Sequence, residues 1–239
     1  MIKKLFGVEK AVIGMIHLSG TSDLKIIDRA LEELDIYQRN GINGAIIEDY
    51  CCHGRSDLVE KVLYASEKGF DKIVRGVNFL ANPYLAFALA DKHGAKFIQF
   101  DSVHKKDLYM KMYNELRETY KDIAVFGGVR FKYVQPTGQS LEKDIEDALP
   151  LCDSIVTTGP GTGKETPISK LRDFKRTIDG RINLISGAGV TANNMFEQFS
   201  VVDGVIIGSY FKPEGDCEQK VSEERVIEIA RVWNSFVKR

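Results

Sequence analysis

The sequence predicts an α/β protein with a single (β/α)8 TIM barrel over residues 1–239, on three observations. Eight short apolar, partly β-branched runs recur along the chain, amphipathic helical stripes lie between them, and the runs are evenly spaced. The runs centre near Ile13, Ile46, Val74, Ile98, Val125, Val156, Leu184 and Ile206. Seven intervals separate the first from the last, about 28 residues each, which suits one strand and its returning helix and leaves no linker for a second domain. A doubly wound open sheet fits less well, because it ordinarily ends with fewer strands.

Taken in chain order, the first helical stripe is Ile27, Ala30, Leu31, Leu34 and Tyr37, stopping at Gly41. By alternation, Ile13, Met15 and His17 share one face of the first run, and Val74, Gly76 and Asn78 one face of the third. Asn82-Pro83 reads as an N-cap followed by proline in the first helical turn. Around Ile98, Phe97, Gln99 and Asp101 fall on one face and Ile98 and Phe100 on the other. Helices cover the all-apolar face, so Gln99 and Asp101 point into the barrel or its mouth. Arg130 and Lys132 share a face if the fifth run extends that far. Thr191 caps the helix after Leu184, and the last stripe is Val226, Ile229, Ala230, Trp233, Phe236 and Val237.

With 44% hydrophobic and 28% charged residues and 6 prolines, the composition excludes disorder, collagen and coiled coil. Lys+Arg number 33 against 34 Asp+Glu, so no global field draws in a polyanion, and nucleic acid is not an expected partner. Cys51, Cys52, Cys152 and Cys217 show no CxxC pair or metal-ligand spacing, and a Cys51–Cys52 disulfide would be strained; a reducing cytoplasm is the expected setting. Glu9 and Lys10 interrupt any leader-like run, and no stretch of eighteen apolar residues suggests an integral membrane segment. Homo-oligomerisation is left open.

In a barrel the chemistry sits on the loops after the strands. Here the first five runs end in ionisable or amide residues: His17, Glu48 and Asp49, Asn78, Gln99 and Asp101, then Arg130 and Lys132. The last three end in glycine and hydroxyl residues: Thr157 to Gly163, Ser186-Gly187-Ala188-Gly189, and Gly208-Ser209. Glycine loops entering helices present N–H groups to a phosphate dianion, and loops seven and eight are where barrels often bind one. Two nucleotide motifs fail. Residues 159–166 resemble a P-loop, but Glu165 stands where a Ser or Thr must meet magnesium. Residues 187–192 match GxGxxA, but the nearby acid, Asp203, precedes its strand and cannot reach a ribose.

On the ionisable side, Lys132 is read as a Schiff-base former or an enolate-stabilising cation. Glu48, Asp49 and Asp101 suit acid–base work, or Mg²⁺ or another divalent cation on Glu48 and Asp49. His17 is the site histidine; His53, His93 and His104 are expected on loops or helix surfaces. Cys51-Cys52-His53 with His17 matches no zinc spacing.

Val12 to Leu18, Gly41 to Glu48, Gly76-Val77-Asn78, Val156-Thr157-Thr158-Gly159 with Thr162-Gly163, Ser186 to Thr191 with Asn194, and Gly208-Ser209 with Phe211-Lys212 form an ordered set nearly end to end. That set resembles the BtpA family. The family is similar to the ribulose-phosphate-binding barrels, which implies a phosphorylated small molecule held by the last two loops. It is named for a member implicated in photosystem I accumulation, and other members resemble products encoded beside sugar-uptake systems. Carried over by position, the implied site is His17, Glu48, Asn78, Lys132, Thr158, Gly159, Thr162, Gly187, Gly189, Gly208 and Ser209. The chain departs from the family pattern at Asp49, where Asn is usual, at Ala81-Asn82-Pro83, where an Arg-Asn-Asp run is usual, and at Tyr133, where His is usual.

The expected function is a cytoplasmic enzyme cleaving a phosphorylated sugar by an aldol-type step or isomerising it. In this reading Lys132 is the electrophile, Asp101 and Glu48 move protons, His17 and Asn78 orient oxygens, and Gly187, Gly189, Gly208 and Ser209 hold phosphate. The alternative is a non-catalytic assembly or metabolite-sensing factor with an exposed apolar patch around Trp233 and Phe236. Nucleotide hydrolysis on residues 159–166 ranks third.

Overall fold

Each of the eight apolar runs forms a strand, since a parallel strand buried on both faces needs apolar side chains at every position that is not part of the mouth. The computed structural model describes residues 1–52 and 54–237. Its elements are α1 (Ile2–Phe6), β1 (Ala11–His17), α2 (Asp23–Arg39), β2 (Gly44–Glu48), α3 (Ser56–Ala65), β3 (Val74–Asn78), α4 (Leu85–His93), β4 (Phe97–Phe100), α5 (Met110–Thr119), β5 (Ala124–Gly128), α6 (Leu141–Ala148), β6 (Ser154–Thr157), α7 (Ile168–Ile178), β7 (Asn183–Ser186), α8 (Met195–Phe199), β8 (Gly204–Ile207) and α9 (Glu223–Val237). The strands pair in parallel in chain order, and β8 returns to β1 to close the barrel, with Ile13 opposite Ile206. This is a (β/α)8 TIM barrel.

Alternation sorts the side chains as expected. Val12, Ile16, Ile47, Val77, Ile98, Val125 and Ile155 face the helices, while Ile13, Met15, Ile46, Phe97, Phe126, Val156, Ile185 and Ile206 fill the interior. The Phe97 and Phe126 rings stack at 4.5 Å between centroids. Below them α1 stops the barrel: Ile2 joins the interior cluster, the Phe6 ring lies 5.7 Å from Phe97, and the Ile2 N–H donates to Asn183 Oδ1 at 3.2 Å. The same register that buries Ile13 and Met15 brings His17 opposite Glu48, and Glu48 opposite Asn78, at the upper rim.

Several helix boundaries and faces differ from the sequence expectation. The buried face of α2 is Ile26, Ala30, Leu34 and Tyr37 together with Arg29 and Glu33, leaving Ile27 and Leu31 half-buried. The rotation serves a buried ion cluster. Glu33 pairs with Arg29 at 2.9 Å and lies 3.4 Å from Lys212 Nζ, while Arg29 also donates to the carbonyls of Ser19, Glu218 and Gln219. Burial holds Lys212 below the ordinary lysine pKa. Removing one partner strands buried charge, so Glu33→Ala is expected to cost about 3–5 kcal/mol in urea unfolding. Asn82-Pro83 forms a turn before α4, which starts two residues later at Leu85. The N-cap of α8 is Asn194 rather than Thr191, and the two form a reciprocal pair: Thr191 N–H donates to Asn194 Oδ1 at 2.8 Å and Asn194 N–H to Thr191 Oγ1 at 3.4 Å.

His104 lies on a loop, as expected, and is buried there; His93, the last residue of α4, is buried rather than on a helix surface, its Nδ1 2.7 Å from Glu67 Oε1. His53 lies outside the described residues. Trp233 and Phe236 are half-buried: the indole N–H donates to Lys10 O at 2.9 Å, and Phe236 packs on Phe196 at 5.2 Å and Phe199 at 5.6 Å. No described helix is long and apolar enough to cross a membrane.

Candidate functional site

Because the interior-facing parity of β1 to β4 ends in His17, Glu48, Asn78 and Gln99, polar groups converge where the apolar filling stops. Asn78 sits among the acids: its Nδ2 donates to Glu48 Oε1 at 2.7 Å and reaches Asp101 Oδ1 at 3.4 Å. Gln99 Nε2 also donates to Asp101 Oδ1, at 3.0 Å. His17 Nε2 lies 3.3 Å from Glu48 Oε2, and its Nδ1 is buried with no hydrogen-bond partner. The His17 ring leans on Tyr50, 5.8 Å away.

Asp101 lies just beyond β4, and its position depends on a glycine across the wall. A Cβ on Gly128 would stand 2.0 Å from the Asp101 carbonyl oxygen, so only glycine lets the β4 loop cross there. Desolvation, and then the negative charge of Glu48, push the Asp101 carboxyl up to about 6; Gln99, Lys132 and Asn78 oppose them. An acid so placed is close to the ideal of a group that exchanges protons near neutrality.

Lys132 lines the mouth, 5.7 Å from the Phe131 ring centroid, with its backbone N–H donating to Thr158 Oγ1 at 2.6 Å. The expectation that Arg130 accompanies it is corrected. β5 ends at Gly128, Arg130 takes a left-handed conformation at φ 49°, and its side chain turns out to Asp144 at 2.8 Å. Lys170 on α7 is lowered to about 8 by burial and then by Arg130. It donates to the carbonyls of Arg130 and Thr158 at 2.8 and 2.7 Å, tying together the loops after β5 and β6. Nothing in helical periodicity distinguishes such a lysine from a solvated one.

Asp49 follows Glu48 at the end of β2. Its Oδ1 accepts from the Leu80 N–H at 2.9 Å, its Oδ2 is buried without a partner, and burial raises its pKa. Among the described residues no group of three His, Cys, Asp or Glu side chains stands close enough to share a metal ion. All four cysteines are free; burial, and then the neighbouring Cys217, raise the Cys51 pKa.

On the opposite side, Thr162, Gly163, Gly187, Ala188, Gly189, Gly208 and Ser209 line the mouth. Gly189 is required twice over: φ is 69°, and a Cβ there would lie 2.3 Å from the Glu165 backbone, so the loop after β6 folds directly on the loop after β7. Two residues expected to touch ligand are spent within this packing. The Thr158 hydroxyl holds Lys132 N–H, and Gly159 abuts the Glu165 carbonyl at 2.3 Å for a built Cβ. Gly187 reaches the mouth, but its N–H donates to Thr157 O at 2.9 Å. Tyr133, left-handed at φ 63°, accepts the Thr162 N–H on its hydroxyl at 3.1 Å and so steadies the loop after β6.

The mouth encloses about 140 Å³ and continues over the glycine rim into an adjoining cleft of about 540 Å³. Lys164 and Arg225 line that cleft, and the Arg225 guanidinium is braced by the carbonyls of Tyr210 and Lys212 at 3.0 and 2.6 Å. Lys164 entered the sequence reading only as part of the P-loop-like motif, and Arg225, on the first turn of α9, was not singled out. Asp203 is spent on Lys175 at 2.8 Å and on the Leu184 N–H at 2.9 Å, in keeping with its dismissal as a ribose ligand.

The BtpA family model matches residues 8–235. The chain belongs to the BtpA family. This BtpA-family chain is 28% identical over 254 residues to an uncharacterized protein of Archaeoglobus fulgidus, covering 94% of this chain and 98% of that one. It is 25% identical over 250 residues to the photosystem I biogenesis protein BtpA of Synechocystis, covering 92% and 87%. Among solved structures it is similar in fold to one described as native KDPGal, with a TM-score of 0.68 at 13% identity over 95% and 96% of the two chains. In this BtpA-family barrel, then, an acid–amide–acid cluster faces a glycine-rich rim across one mouth.

Proposed function

We propose that this protein is an enzyme that moves a proton on a carbon beside the carbonyl of a small phosphorylated sugar, in an isomerisation, an epimerisation or an aldol-type cleavage. The observation that carries the reading is the Asp101 carboxyl, raised to about 6 and set across the mouth from the glycine rim. At pH 7–8 it is ionised yet far more basic than an ordinary carboxylate, as a carbon-acid base must be. Lys132 supplies positive charge for the developing enediolate oxygen. Asn78 fixes the two acids relative to one another, and the Glu48–His17 pair orients substrate hydroxyls. Phosphate sits on the backbone of Gly189, Gly208 and Ser209 with Thr162, under Lys164 and Arg225, as a remote handle that fixes the reacting carbon. A cavity near 150 Å³ takes a six-membered ring, so the 140 Å³ mouth is sized for a sugar's carbon skeleton, with the phosphate in the adjoining cleft.

The non-catalytic reading expects an apolar patch around Trp233 and Phe236; both are half-buried, the indole N–H bonded to Lys10 O and Phe236 packed on Phe199. A thermal-shift panel of pentose, hexose and heptulose phosphates, inorganic phosphate and nucleotides, with and without Mg²⁺, tests the proposal. A ligand at a hundred times its Kd adds about 2.7 kcal/mol. Stabilisation by a sugar phosphate beyond that by inorganic phosphate is expected. A flat response to every sugar phosphate would overturn the proposal in favour of the non-catalytic reading.

A further inference from the structure

Lys132 stands in a sharply bent stretch of chain. Arg130, two residues before it, and Tyr133, the residue after it, take left-handed backbones at φ 49° and 63°, which residues other than glycine rarely adopt. Both are held by contacts to other segments. Arg130 is fixed by Asp144 at 2.8 Å and by Lys170, which donates to its carbonyl at 2.8 Å. Tyr133 is 74% exposed, and its hydroxyl reaches across to the loop after β6. There it accepts the Thr162 N–H at 3.1 Å and donates to the Thr162 hydroxyl at 3.4 Å.

The donor that this phenol occupies belongs to the anion side of the mouth. Thr162 and Gly163 line both the mouth and the adjoining cleft. Residues 161–164 form one turn, in which the Lys164 N–H donates to Gly161 O at 3.1 Å, and Lys164 itself lines the cleft. A Cβ on Gly163 would stand 3.4 Å from the Ser209 hydroxyl oxygen, so the turn lies against the rim. A backbone N–H carries a single hydrogen, so a phenol oxygen and a phosphate oxygen compete for it. The exchange favours the dianion, because a charge-assisted hydrogen bond is about twice as strong as a neutral one. Release of the phenol also frees Tyr133 from a strained backbone.

Resting on the phosphate placement proposed above, we propose that Tyr133 is a latch on the anion site: in the free protein its hydroxyl occupies the Thr162 N–H, and the substrate's phosphate displaces it. The latched form withholds that donor, so the apparent affinity for phosphate is reduced by the fraction of molecules that are unlatched. Tyr133 follows Lys132 directly, and binding at the anion site is thereby coupled to the backbone beside the lysine.

Calorimetric titration with inorganic phosphate and with ribose 5-phosphate tests this on the wild type, Tyr133→Phe, Gly161→Ala and the double variant. Tyr133→Phe keeps the exposed ring and removes the hydroxyl. It is expected to tighten whichever of the two ligands binds by about threefold to tenfold, because a hydrogen bond no longer has to be given up. A tyrosine that merely steadied the loop would move affinity the other way. Gly161→Ala crowds the phenol without removing the donor, since the added Cβ would stand 3.3 Å from the Tyr133 hydroxyl. It is expected to tighten binding while Tyr133 is present and to change nothing once Tyr133→Phe is in place. Unchanged or weaker binding in Tyr133→Phe would overturn the latch and leave the phosphate reading standing, as would an equal effect of Gly161→Ala in both backgrounds. Failure of both ligands to bind the wild type and all three variants would overturn the phosphate placement and the latch with it.

Discussion

Asp101→Asn is expected to lower turnover by about 10²–10⁴-fold while leaving the barrel folded. The substitution keeps the Oδ1 acceptor that Gln99 Nε2 meets at 3.0 Å and removes only the group that takes a proton. In the wild type, kcat/KM should rise with pH along a limb centred near 6, because Asp101 acts ionised. The neighbours assign that limb. Glu48→Gln removes a negative charge that raises Asp101 and should move the limb to lower pH; Lys132→Met removes a positive charge that lowers it and should move the limb to higher pH. A purely structural role for either residue would reduce activity without moving the limb in opposite directions.

The same shift has a stability consequence of definite sign. A carboxyl near 6 in the folded state and near 3.9 unfolded binds its proton more tightly when folded. Folding therefore loses stability from this group as pH rises from about 4 to 6, and the loss is complete above that range. Thermal unfolding of Asp101→Asn against wild type should show a difference that turns in the variant's favour over this window, by no more than about 3 kcal/mol.

Removing the substrate's phosphate is expected to lower kcat/KM by about 10²–10⁶-fold. Two or three hydrogen bonds to a dianion contribute about 1.5–3 kcal/mol each, and each 1.4 kcal/mol is tenfold. Because the rim lies across the mouth from Asp101, that energy also fixes the distance of the reacting carbon, so kcat should fall along with affinity. Adding inorganic phosphite or phosphate with the dephosphorylated sugar should restore part of the rate if the rim is the anion site, and should leave it unchanged if binding energy comes from elsewhere.

Strand number, interior parity and the division of the mouth into two halves were legible in the sequence, because period-two alternation is set by the chain's own geometry. Ile13, Met15 and His17 share a face for the same reason that Phe97 and Gln99 do. What depended on tertiary packing was not legible. The rotation of α2 answers to Lys212, 179 residues beyond Glu33. The outward turn of Arg130 follows from Asp144 and a left-handed backbone that no propensity marks at arginine. Thr158 and Gly159 resembled ligand-contacting residues as members of a motif, yet their atoms join the loops after β5 and β6 to their neighbours. Arg225, far from the strand ends, was invisible to a reading that sought chemistry only on the loops.

The central claim, one mouth with phosphate on the glycine rim and a reacting carbon at Asp101, is tested most directly by a crystal structure with a stabilising sugar phosphate bound. The account predicts the phosphate oxygens within hydrogen-bond distance of the Gly189, Gly208 and Ser209 backbone, with the sugar carbonyl between Asp101 and Lys132. A sugar phosphate seated elsewhere, or in the mouth with its phosphate turned towards Glu48 and Asp101, would contradict it.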